Sequence, residues 1–181
     1  MGSTFRYIHD SALVESDLGV CQHCARQGFA AYDYHGEIVD SHAAANVALA
    51  LVEKEIYAAC APCIHDGNIR KRDYELERIR PIVDEFARDK TVAIRDYHRI
   101  PHIPLMMQDA DWPMCCGDWC EFLGNPPDFE TSLSVPFHFR FWDHSPAEYL
   151  ATQSLVPESL REVCLFRCLA CTNSYFIWQP T

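Results

Sequence analysis

Between Asn68 and Lys90 the apolar residues Ile69, Leu76, Ile79, Ile82, Val83 and Phe86 recur at helical intervals, with charges of alternating sign on the other positions. That spacing predicts a surface helix, bent or restarted at Pro81. A second helix is expected over residues 41–55, which are rich in Ala, Val and Leu. A third should start near Ser145, where Ser145-Pro146-Ala147-Glu148 supplies an N-cap, a proline at the first helical position and a glutamate at the third. Strands are expected at 28–34, 91–97, 134–142 and 174–178, each aromatic or β-branched and some alternating. In the segment 134–142, alternation groups Phe137, Phe139 and Phe141 on one face, read as packed in a core, and His138, Arg140 and Trp142 on the other. Five prolines between Arg99 and Asp128 oppose a regular ladder, so that connection must be pinned by something else. The class that follows is α+β. It is one compact domain, or two lobes: residues 1–99 with the helical spacer and the mixed-charge helix, and residues 100–181.

The chain has 181 residues, 49% of them hydrophobic, which is enough for an ordinary core. Fifteen Lys and Arg stand against twenty-six Asp and Glu, a net charge of −11 that repels a phosphate backbone and attracts basic proteins. The excess sits at the two ends: residues 1–65 and 100–181 carry −5 and −7, while the middle is nearly balanced. The basic cluster Arg70, Lys71 and Arg72 reads as a solvated face with Asp73, Glu75 and Glu77 as partners. No apolar run approaches the length of a membrane span, and residues 1–20 lack the apolar core of an export signal, so a soluble cytoplasmic protein is expected.

Ten cysteines change the picture. They fall at Cys21-x-x-Cys24, Cys60-x-x-Cys63, Cys115-Cys116-x-x-x-Cys120 and Cys164-x-x-x-Cys168-x-x-Cys171. In a reducing compartment such clusters point to thiolate ligation of a metal, zinc first, because a C-x-x-C turn lets two sulfurs converge on one ion. Proximity and parity give two zinc ions per chain. One quartet is Cys21, Cys24, Cys60 and Cys63; the other is Cys116, Cys120, Cys168 and Cys171, with Cys115 as an alternative to Cys116. These would be ribbon- or knuckle-like sites that stabilise the fold. Cys164 reads as a small buried hydrophobe. A redox role for Cys60-Ala61-Pro62-Cys63 leaves the second pair at Cys21 and Cys24 without a purpose.

Catalysis finds little support. Four-thiolate sites leave no coordination position for water. His98 and His102 have the spacing of a hydrolase zinc site, but Pro101 and Pro104 oppose the helix it needs and no glutamate follows His98. Asp109 and Asp111 read as solvated loop carboxylates, and neither a phosphate-binding glycine loop nor a nucleophile elbow is present. An enzyme is therefore not expected, and a metal hydrolase or a nucleic-acid adaptor built on Arg70, Lys71 and Arg72 are the weaker alternatives.

Five blocks also occur together: Phe5-Arg6-Tyr7-Ile8-His9-Asp10, Cys21-Gln22-His23-Cys24, the run Cys60 to Gly67, the run Cys116 to Gly124, and the run Leu165 to Cys171. In this order they resemble the bacterial CbrC-like family, whose name comes from a protein linked to colicin tolerance. The resemblance implies a small cytosolic bacterial protein whose paired cysteines bind zinc and which has no established enzyme activity. Taken with the acidic charge, the colicin association leads to the expectation of a protein that binds a partner, a basic bacterial toxin being the candidate, in a tolerance or immunity role. By residue type, the expected anchors for that partner are Trp119, Arg140 and Trp142.

Overall fold

In the computed structural model, residues 2–39, 55–103, 112–142 and 159–178 are described. The expected helices over 41–55 and from Ser145 lie outside them, apart from Glu55, as do Asp109 and Asp111. Three sheets, four α-helices and two single-turn 3-10 helices make up the described architecture. Strand β1 (Ala31–Ile38) is the centre of an antiparallel sheet, flanked by β2 (Glu55–Cys60) and β3 (Ile69–Lys71), with the short helix α1 (Ala61–Asp66) leading out of β2. Helices α2 (Asp73–Phe86) and α3 (Lys90–Tyr97) follow, then a hairpin of β4 (Met114–Cys115) and β5 (Asp118–Trp119). A four-stranded sheet in the order β6-β8-β9-β7 completes the fold, from β6 (Glu121–Gly124), β7 (Arg140–Phe141), β8 (Val163–Arg167) and β9 (Ser174–Trp178). Helix α4 (Phe129–His138) precedes β7, which alone pairs in parallel, with β9. The result is a mixed helix and sheet molecule, and none of its described helices is long and apolar enough to cross a membrane.

The mixed-charge helix is real but shorter than its periodicity suggests. Its first residues are β3, whose alternation buries Ile69 and Lys71 against β1 and leaves Arg70 outside. Helix α2 then starts at Asp73, with Asp73 and Glu75 in the first turn where the helix dipole favours negative charge, and it continues through Pro81.

Two expected strands are helices. Residues 91–97 belong to α3, capped by Asp89, whose side chain accepts a hydrogen bond from the Val92 amide at 3.0 Å. Most of 134–142 belongs to α4, capped the same way by Asp128 and Thr131 at 2.6 Å. In both places a satisfied helix terminus outweighs β-branched or aromatic composition. Phe137 is consequently not a core residue: it is 85% exposed on α4. The expected strand 28–34 starts later, at Ala31, because Gly28 turns the chain at φ 82°.

One buried cluster holds the molecule together, and it draws on both sides of position 99. Phe5 and Ile8 join Tyr34, Ile64, Ile79 and Ile82 from the first half, and Trp112, Trp119, Phe122 and Phe166 from the second. The segment before the first cysteine lies along β6, where the Phe122 amide donates to the Tyr7 carbonyl and the His9 amide to the Phe122 carbonyl. A smaller cluster of Val135, Val163 and Phe176 seats α4 on the four-stranded sheet.

Candidate metal centres

The first cysteine cluster is assembled by β2 and the turn that precedes β1. Cys60 ends β2 and forms the N-cap of α1, which carries Cys63 in its first turn. The turn with Cys21 and Cys24 is stitched to β2 by Gln22: its side-chain oxygen accepts from the Tyr57 and Ala58 amides at 2.6 and 3.1 Å, and its own amide donates to the Ala58 carbonyl. All four sulfurs lie within 4.8 Å of one another. Cys24 and Cys60 are 3.7 Å apart, sulfur to sulfur. A disulfide needs about 2.05 Å. A tetrahedral ion holding thiolates at about 2.3 Å puts its ligands about 3.8 Å apart, so the spacing is that of ligands around one ion. Cys21, Cys60 and Cys63 are buried and Cys24 is partly so.

The second cluster hangs on the β4–β5 hairpin. Cys116 and Gly117 form its two-residue turn, both at positive φ, 56° and 83°. Glycine is required at 117, where a Cβ would come within 2.6 Å of the Arg88 Cβ. Arg88 also clamps the turn, its amide donating to the Gly117 carbonyl and its guanidinium to the Cys116 carbonyl. Cys168 and Cys171 come from the β8–β9 connection. Here Cys115 lies 3.7 Å from Cys171 and 3.8 Å from Cys116, and the four sulfurs again fall within 4.8 Å. The quartet is therefore Cys115, Cys116, Cys168 and Cys171, with Cys115 in the place expected for Cys120. The tight turn leaves both members of the Cys115-Cys116 doublet at the site. Cys120 lies past the hairpin, 0% exposed within the core, where burial pushes its thiol up. Cys116 and Cys171 are exposed, unlike their counterparts in the first cluster.

Electrostatics within the clusters favour a cation. Burial opposes ionisation of Cys21, yet the amides of Cys24, Cys60 and His23 outweigh it and hold the thiol below its ordinary value. At Cys115 burial is likewise outweighed, by the Tyr175 hydroxyl at 3.2 Å, Asn173 and the neighbouring thiols, and the pKa falls to about 7. The companions are pushed the other way: Cys60, Cys63 and Cys168 by burial and then by adjacent sulfurs, and Cys116 to about 12 by Cys171, Cys115 and Cys168. In each cluster one thiol is thus eased toward ionisation while Cys60, Cys63, Cys116 and Cys168 are held back, a balance that positive charge placed among the sulfurs would shift toward thiolate. His23, its pKa lowered by burial, sits with Nδ1 3.2 Å from the Cys63 sulfur, within reach to donate to it.

The remaining candidates do not converge. Among the described residues the two cysteine quartets are the only groups of three or more side chains placed to share an ion. His98 accepts from the Lys71 amide at 3.1 Å through Nδ1, while His102 stacks on His35 with ring centroids 4.0 Å apart. The basic cluster is not a solvated face throughout. Arg70 pairs with Glu37 and Arg72 with Glu55, but Lys71 is 3% exposed, paired with Glu75 at 3.3 Å and lying over the Tyr34 and Tyr97 rings. Trp119 and Trp142 are core residues rather than surface anchors: Trp119 donates to the Ala93 carbonyl, and Trp142 packs on Phe86 and Tyr175. Arg140 alone of the three is exposed, on the edge strand β7. Cys164 is fully buried, its thiol pushed up to about 12 by that burial.

A family model matches residues 51–179. The chain belongs to UPF0167, an uncharacterised protein family. No curated protein and no solved structure matches it. The UPF0167 match takes in Cys60, Cys63 and the whole second quartet, while Cys21 and Cys24 precede it.

Proposed function

We propose that this UPF0167 member is a non-enzymatic zinc protein that carries two structural ions per chain and acts by binding another protein. The sulfur spacing carries the reading: 3.7 Å between Cys24 and Cys60, and 3.7 and 3.8 Å from Cys115 to Cys171 and Cys116, match the edge of a tetrahedron of thiolates. Cys21, Cys24, Cys60 and Cys63 would hold one ion, and Cys115, Cys116, Cys168 and Cys171 the other. Four thiolates fill the sphere of zinc, so neither ion has a position for a reacting water. Bound zinc supplies a cross-link between distant segments, and the chain supplies the thiolates and the N–H groups around them.

The partner half of the proposal rests on charge and on the CbrC-like blocks. A net charge of −11, concentrated outside residues 66–99, suits a basic surface such as that of a toxin which acts on nucleic acid. Arg140 stays available to such a partner. The pairing of Arg70, Lys71 and Arg72 with Glu37, Glu75 and Glu55 weighs against a nucleic-acid adaptor.

Elemental analysis of protein purified without chelator should return two zinc ions per chain, and Cys63→Ser one fewer. Absence of metal, or iron in its place, overturns the zinc reading. For a basic protein recovered from lysate, the association rate should fall steeply between about 0.1 and 1 M salt as the Debye length contracts from about 10 to 3 Å, with the dissociation rate changing less. An association rate indifferent to salt overturns the acidic-surface mechanism.

A further inference from the structure

We propose that the cleft between the N-terminal segment and α3 binds the phosphate group of a small ligand. It encloses about 210 Å³ and is lined by Arg6, Tyr7, His65, Arg95, Asp96 and Arg99. Three guanidinium groups meeting in one cleft are conspicuous in a chain where acidic residues outnumber basic ones by 26 to 15. None of these residues belongs to either cysteine quartet.

The floor of the cleft is buried and hydrogen-bonded, and its rim is exposed. Tyr7 and Asp96 are 3% and 6% exposed, and the Tyr7 hydroxyl lies 3.1 Å from Asp96 Oδ2 and 2.8 Å from Asp118 Oδ1. Asp96 Oδ1 accepts from Arg95 Nε and Nη2 at 3.0 and 2.9 Å, and Asp118 Oδ2 accepts from Arg6 Nη2 at 2.7 Å. Arg6 Nη1 also lies 3.9 Å from Asp96 Oδ2, so the two carboxylates are occupied by the protein's own donors and orient two half-exposed guanidiniums toward the cleft. Arg99, in the turn after α3, has no partner for its guanidinium among the described residues. His65 contacts the Thr4 carbonyl through Nε2 at 2.9 Å, which leaves Nδ1 uncommitted.

The donor set selects the ligand class. A carboxylate is satisfied by a single guanidinium fork, whereas a phosphate presents three or four oxygens and up to two charges to several forks at once. Arg6, Arg95 and Arg99 against Asp96 and Asp118 leave a net positive charge of one, so an anion completes the cleft. A volume of about 210 Å³ is ample for a phosphate with a short substituent.

The test is calorimetric titration of the metal-loaded protein at fixed pH and ionic strength with inorganic phosphate, glycerol phosphate and acetate. Saturable one-to-one binding of either phosphate, with acetate at least about tenfold weaker, supports the proposal, and the two phosphates separate a free ion from an ester as the source. Arg99→Gln should weaken binding by about tenfold or more without changing melting temperature or metal content, since the Arg99 guanidinium has no hydrogen-bond or ion-pair partner among the described residues, and Arg99→Lys should recover part of the loss. Absence of saturable binding, equal binding of acetate, or an Arg99→Gln variant that binds like the parent overturns it.

Discussion

Replacing Cys115 by serine should remove one of the two ions, whereas Cys120→Ala should keep both and lose only core packing, of order 1 kcal/mol. Metal content and urea unfolding of the two variants separate the cases. The neighbourhood of this choice was legible in the sequence, but the choice was not. Spacing alone offers Cys116 and Cys120 as a plausible pair; the deciding quantity is the positive φ of Cys116 and Gly117, which makes a two-residue hairpin turn of them. Gly117 between Met114-Cys115 and Asp118-Trp119 was the available signal. A second expectation concerns His98, whose pKa is lowered to about 4 by burial first and then by Lys71 and Arg70. The ring is neutral in the fold, while the unfolded chain takes up a proton below about 6.5. Stability from this residue is therefore full above about pH 6.5 and drains away as pH falls toward 4. His98→Asn keeps an acceptor for the Lys71 amide and lacks the titration. The difference in unfolding free energy between parent and variant should move in the variant's favour by about 1 kcal/mol from pH 7 to pH 5, after discounting for the partial exposure of the ring.

Caps govern the elements that composition misreads. In Thr91-Val92-Ala93-Ile94-Arg95-Asp96-Tyr97 the β-branched residues suggest a strand, yet Ala93 and Tyr97 are buried four positions apart and Asp89 closes the helix start. Likewise the alternating Phe137, Phe139 and Phe141 straddle the end of α4 and the start of β7, a boundary set from Asp128. Strand β9 was legible at both ends because no competing cap intervenes between Ser174 and Trp178. Asp89→Ala should cost about 1 kcal/mol and lower the melting temperature by about 2–4 °C, with Asp89→Asn close to the parent. Where β3 runs into α2, the buried pair of Lys71 and Glu75 was hidden inside what reads as a charged surface run. Lys71→Met leaves Glu75 without its cation and should destabilise by about 3–5 kcal/mol, while Lys71→Met combined with Glu75→Leu should recover most of it. Chemical denaturation of the single and double variants measures both.

For the molecule as a whole, the difference in exposure between the two clusters sets the order in which metal leaves. Excess chelator should strip the second cluster first, through exposed Cys116 and Cys171, and the first cluster only as the core opens around Cys21, Cys60 and Cys63. Two kinetic phases in metal release, the slower coincident with loss of near-ultraviolet circular dichroism, are the expected record; a single phase would mean that both clusters open together. At this scale the partition of cysteines into an early and a late quartet was legible from spacing. The common core was not, because nothing local in Phe5-Arg6-Tyr7-Ile8 announces that its partner is Phe122. That long-range seat fixes an order of assembly on a growing chain. The first clasp is complete once Cys63 has been made, and the second must wait for Cys171; Phe5 already finds Tyr32 and His65 in the first half, but the Tyr7 and His9 backbone bonds have no partner until Phe122 emerges. The backbone seat of the first-made strip is thus completed only after the knot that follows it can be tied.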